Sequence, residues 1–92
     1  MKSISAPEKK KLKAEAHHFK PVVQIGHKGK TKTLIKAIDD ALIAHELIKI
    51  QFLDFKEEKR ELAQEIAEET DSVIVGMIGN VLTLYKENPE KE

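Results

Sequence analysis

Apolar positions along this chain change their spacing several times, and each change marks an element. Leu12, Ala16 and Phe19 recur at i, i+4 and i+7, the narrow stripe of a helix. Ser5 and Glu8 fit a capping box at its start, with Pro7 tolerated in the first turn. Pro21 is expected to end the helix, because its ring removes a donor and pushes Lys20 out of helical space. Val22-Val23-Gln24-Ile25 is short and rich in β-branched residues, which predicts a buried strand. Gly26-His27-Lys28-Gly29 predicts a tight loop, and Thr31 can cap a second helix. That helix gathers Leu34, Ile35, Ile38, Ala41, Leu42 and His45 on one face and turns Lys32 and Lys36 to the other.

From Leu47 to Leu53 the period shortens to two, with Ile48, Ile50 and Phe52 on one side. A third helix is expected from about Glu57 to Glu69. It turns Leu62, Ala63, Ile66 and Ala67 inward and Glu58, Glu61, Glu65 and Glu68 outward. Val73 to Ile78 and Val81 to Tyr85 are apolar runs parted by Gly79-Asn80, the signal of a two-residue hairpin with glycine first. The order is helix, strand, helix, strand, helix, strand, strand. Strand-helix-strand units imply parallel neighbours, and the hairpin adds an antiparallel edge. The predicted fold is a single α/β domain with a four-stranded mixed sheet and three helices, followed from residue 87 by a polar tail containing Pro89.

A chain of 92 residues holds one small domain, which buries roughly 60% of the surface its unfolded chain exposes. Its 40% hydrophobic content provides a core and its 35% charged content a solvated outside. With no cysteine there is no disulfide framework, thiolate metal site or thiol nucleophile. No run of apolar residues is long enough to span a membrane, and no apolar stretch follows the first lysines as a secretory signal requires. A cytoplasmic location is expected.

The formal net charge is zero, yet the charge is strongly divided. Residues 1–36 hold ten lysines against Glu8 and Glu15, a net +8, and the remaining residues carry a net −8. A chain so polarised attracts an anion at one end while its total stays balanced.

The chemistry concentrates at Ile25 to Thr31, I-G-H-K-G-K-T. A strand there runs into a loop with two glycines and then into a helix start. Glycines allow close approach of a ligand to the backbone, and a helix N-terminus offers unpaired N–H groups and partial positive charge. Lys28, Lys30 and Lys32 add full charges, and His27 can touch a phosphate or stack on a base. The bland alternative is a strand-to-helix turn whose glycines serve geometry alone. Gly29-Lys30-Thr31 does not make a nucleotide-binding P-loop, since the required first glycine falls on Gln24.

Lys9 and Lys13 are one helical turn apart, and Lys20 precedes the first strand, so these lysines are expected to extend a basic track from the loop. The four histidines lack the spacing of a metal site: His17 and His18 diverge on a helix, and His45 is expected in the core. No nucleophile elbow surrounds Ser3, Ser5 or Ser72, and the glutamates of helix three form a solvated face that steers polyanions away. No enzyme, cofactor or metal is expected. Phe19, Phe52, Phe55 and Tyr85 are expected mostly in the core, with Phe55 near a strand end open to exposure. Clamping of an RNA backbone by the loop then fits better than stacking of bases on the sheet.

The segment A-H-H-F-K-P-V-V-Q-I-G-H-K-G, from Ala16 to Gly29, resembles the YhbY-like, CRM-domain family. So do A-L-I-A-H-E-L-I-K-I from Ala41 to Ile50 and V-G-M-I-G-N-V-L-T-L-Y from Val75 to Tyr85. The likeness runs from about Ile4 to Lys86, so residues 1–86 are read as one CRM-type domain. It implies a fold similar to the C-terminal domain of translation initiation factor 3, with a KH-like GxxG loop formed by Gly26, His27, Lys28 and Gly29. It also implies RNA binding and, for stand-alone bacterial members, association with precursors of the large (50S) ribosomal subunit. In plants the related domain occurs in organellar intron-splicing factors. Lys30 departs from the family pattern, which has a small apolar residue there.

The expected function is therefore non-enzymatic binding of ribosomal RNA during large-subunit assembly, with precursor subunits as partner. Gly26, His27, Lys28, Gly29, Lys30 and Lys32 form the expected site, extended by Lys20, Lys9 and Lys13. A Gly29→Asp exchange is expected to block RNA while sparing the fold. The alternative is a protein-interaction module docking through its basic and acidic poles.

Overall fold

The computed structural model describes residues 4–87. The polar tail expected from residue 87 lies, beyond Glu87, outside the described residues. Seven elements follow in the predicted order: α1 (Ala6–Ala16), β1 (Val23–Ile25), α2 (Lys32–His45), β2 (Leu47–Phe52), α3 (Lys59–Thr70), β3 (Val73–Ile78) and β4 (Val81–Tyr85). Ser5 and Glu8 form the predicted capping box. At the hairpin, Gly79 takes φ +58° and Asn80 is not left-handed, as a glycine-first turn requires.

The four strands form one sheet in the order β1-β2-β4-β3. β1 lies parallel to β2, and β4 is antiparallel to both β2 and β3. Here the parallel-neighbour expectation needs correction. β3 does not lie beside β2, because β4 stands between them. The reason is burial: Leu82 and Leu84 of β4 are fully covered, whereas Ile78 of β3 is 81% exposed. The strand of the hairpin that is covered on both faces, β4, holds the central place, although β3 is the more apolar in sequence.

Alternation along β2 divides the interior in two. Ile48, Ile50 and Phe52 meet Ile38 and Leu42 of α2 and Ala63 and Ile66 of α3 in the main core. Leu47, on the opposite face, joins Ala16 of α1 and Val75 of β3 in a smaller cluster. The sheet thus has α2 and α3 on one face and α1 across part of the other.

Several expectations change at the borders of elements. α1 ends at Ala16, well before Pro21, and Phe19 donates its N–H back to the Ala16 carbonyl in a turn. Ala16 is the last side chain of that stripe with a core to enter, and Phe19 is left exposed. Val22 falls outside β1, which is an edge strand rather than a buried one. His45 is exposed because it closes α2 just before the chain reverses at Glu46, where φ is +63°. Of the four aromatic residues only Phe52 is buried.

Candidate nucleic-acid interface

β1 delivers the chain to the loop with its last residue fixed. The Ile25 side chain is buried, and its carbonyl accepts from the N–H groups of Leu53 (2.9 Å) and Asp54 (3.2 Å). From there Gly26 to Gly29 form a tight turn closed by the Gly29 N–H donating to the Gly26 carbonyl at 3.0 Å. His27 and Lys28 stand exposed at its tip. Thr31 then caps α2: its hydroxyl accepts from the Leu34 N–H at 3.0 Å. The N–H groups of Lys32 and Thr33 precede any carbonyl that the helix could offer them, so they carry the positive end of the helix dipole.

The two glycines have different surroundings. A β-carbon at Gly26 would meet nothing within 4 Å, while Gly29 has φ +68° and a β-carbon there would lie 3.2 Å from the Phe55 ring. Phe55 is itself left-handed (φ +57°), and its N–H donates to the Asp54 carboxylate at 2.7 Å. A bulky side chain in that conformation is an outlier that needs support from its surroundings. The ring lies against the inner side of Gly29 and buttresses the turn. The expected behaviour of Gly29→Asp is therefore corrected: the new side chain would strain the backbone and press on Phe55, so the exchange disturbs the loop itself. Gly26 is the position where a side chain adds bulk and charge without either cost.

Beside the turn, a groove of about 420 Å³ runs between β1 and α2. Val22, Val23, Leu34 and Ala37 give it apolar walls, and Gly26 and Lys28 stand at its end. β1 is a sheet edge, so backbone groups on its outer side have no strand partner. The glycine pair was legible in the sequence. This groove and the Phe55 buttress were not, because the first depends on how α2 packs beside β1 and the second joins Gly29 to a residue distant along the chain.

The predicted lysines do not form one patch. Lys28 and Lys32 are exposed on the loop and on α2, and Lys20 is exposed ahead of β1. Lys30, expected as an open contact, instead pairs with Glu65 at 3.1 Å and with Glu69, both on α3. Hydrogen bonds to Glu69 and then Glu65 raise its pKa above the usual lysine value. This lysine ties the start of α2 to α3, and its charge is balanced there. Lys9 and Lys13 line a concavity at β3, the opposite edge of the sheet from β1. The continuous basic track expected from the loop through these two residues is thus divided by the sheet. Among the described residues, no three His, Asp or Glu side chains converge where a metal ion could sit. No helix among them is long and apolar enough to cross a membrane.

The sequence that builds this architecture matches a known family. The model of the CRS1 / YhbY (CRM) domain matches residues 4–86, and the chain belongs to that family. Probable RNA-binding protein YqeI of Bacillus subtilis is 37% identical over 90 residues, covering 97% of this chain and 94% of its own. An RNA-binding protein of Haemophilus influenzae is also 37% identical, over 98% of this chain and 92% of its own. The solution structure of a Staphylococcus aureus protein matches with a TM-score of 0.83 at 37% identity, covering 98% of this chain and 95% of that one.

Proposed function

We propose that this protein is a non-enzymatic RNA-binding protein of the cytoplasm that holds ribosomal RNA in precursors of the large ribosomal subunit. The observation that carries the reading is the Gly26–Gly29 turn, open at Gly26 and leading directly into the capped N-terminus of α2. A phosphate seated there meets backbone N–H groups, the positive helix end and Lys28, with Lys32 close behind on α2. The groove between β1 and α2 then receives the adjoining nucleotides against apolar walls, as a KH-like loop and groove would. Lys20 lies ahead of the same strand and extends the contact. Lys30 acts as a support for the loop rather than as a contact. The bacterial relatives named as RNA-binding proteins support RNA as the ligand.

The test is sedimentation of cell lysate on sucrose gradients, comparing the native protein with Gly26→Asp and Lys28→Glu. Native protein is expected to run with free large subunits or lighter precursors, and both variants to stay at the top. Circular dichroism melts of the purified proteins should remain close to native. Native protein staying at the top in low salt would overturn ribosome association. Variants that sediment like the native protein would overturn the role of the loop.

A further inference from the structure

The concavity at the free edge of β3 is the strongest feature outside the loop. It has a volume of about 330 Å³ between α1, α3 and β3, with Lys9, Lys13, Arg60, Gln64 and Gly76 among its lining residues and no carboxylate. Lys9, Lys13 and Arg60 are exposed and have no ion pair among the described residues. Lys30 and Lys36, by contrast, are both matched to carboxylates. The fold itself gathers the three cations. Leu12 and Ala16 seat α1 beside Leu47, Val75 and Tyr85, which brings Lys9 and Lys13 to the flank facing β3. Gly76 leaves room for the lysine stem: a β-carbon there would lie 2.8 Å from Lys13 Cε. The β3–β4 register shifts between Ile74 and Gly76, and an edge strand keeps outward N–H groups for a ligand. Lys49, Thr83 and Gly76 are successive partners across the sheet, so Lys49 lies on the same side about 10 Å away.

We propose that Lys9, Lys13 and Arg60 form a second RNA-backbone surface, separate from the Gly26–Gly29 loop, and that the ligand is therefore folded RNA. The inference rests on the RNA-binding reading and adds the ligand class to it. β1 and β3 are the two edges of the sheet, about 14 Å apart at ordinary strand spacing. A single strand of a few nucleotides is taken up by the loop and its groove and leaves no backbone for the far edge. A hairpin presents two backbones at once and meets both edges.

The experiment measures fluorescence anisotropy of the full chain with two labelled RNAs over a series of salt concentrations. One probe is a stem-loop hairpin and the other a single-stranded tetranucleotide, the length a GxxG loop clamps. The native protein is expected to show a log–log salt slope steeper by about 2 for the hairpin, at roughly 0.7–0.9 per extra phosphate. The combined change Lys9→Gln, Lys13→Gln and Arg60→Gln is expected to weaken hairpin binding about tenfold or more and to remove the extra slope. The tetranucleotide should bind as before. The corresponding triple Glu variant should deepen the hairpin loss alone. Unchanged hairpin affinity, or equal loss for both RNAs, would overturn the second surface. Failure of the native protein to bind either RNA would instead overturn the RNA-binding reading beneath it.

Discussion

Gly26 and Gly29 are three residues apart, yet one faces open space and the other lies under an aromatic ring. Only Gly29 needs its missing side chain for conformation, because φ +68° there is costly for other residues. Phe55 holds a similar strained backbone angle, whose cost is of order 1–3 kcal/mol. Its contact with Gly29 limits how far the turn can move before a ligand arrives, which reduces the ordering cost of binding. Phe55→Ala should therefore lower RNA affinity several-fold while lowering the melting temperature by only a few degrees, since the ring is half-buried and outside the main core. Anisotropy titrations paired with thermal melts measure both, and Phe55→Leu should restore part of the affinity. Melting-temperature loss without affinity loss would make the ring a stability element only.

At the scale of elements, the two helix starts with a side-chain cap were legible in the sequence, whereas the end of α1 was not. Ser5 and Thr31 cap where expected because a side-chain oxygen satisfies an N–H within the same turn. Endings depend on what the helix packs against. α1 stops when its apolar side chains run out of sheet to cover, and α2 exposes His45 although the residue shares the heptad face of Leu42. The Thr31 cap is shared by fold and site, because it orients the N–H groups offered to a phosphate. Thr31→Ala should cost about 1 kcal/mol in urea unfolding. It should also weaken RNA binding, whereas Thr31→Ser should leave both nearly native.

Across the whole molecule, the division of charge in the sequence becomes a division in space that no running total shows. Acidic α3 does not simply face water: Glu65 and Glu69 hold Lys30, and so join the second half of the chain to the loop. The pKa of Lys30 is raised by those glutamates, and that of Tyr85 is raised by burial, with Glu46 and Glu87 adding to it. Both shifts mean that the folded chain holds these protons more tightly than the unfolded chain does. For Lys30 the stabilisation by its glutamates is present at neutral pH and is lost as pH rises through the ordinary 10.5 towards the raised value, and for Tyr85 ionisation above the ordinary 10.0 destabilises the folded chain. Urea midpoints should hold up to about pH 10 and fall above it, and Tyr85→Phe should reduce that fall. A midpoint independent of pH across this range would contradict the assignment.

The sequence by itself determined which segments become helices and strands, that they form one α/β domain, and where the glycine-flanked turn lies. Those features rest on hydrophobic period, capping side chains and backbone freedom, all of which act over a few residues. Tertiary structure alone decided that β4 rather than β3 sits beside β2, that Phe55 supports Gly29, and that Lys30 is tied to α3. It also decided that Lys9 and Lys13 meet Arg60 at the far edge of the sheet instead of joining Lys28. The physical reason is that charge and contact depend on distance in space. Distance in space follows from which apolar faces the fold buries together, and a linear pattern does not contain it.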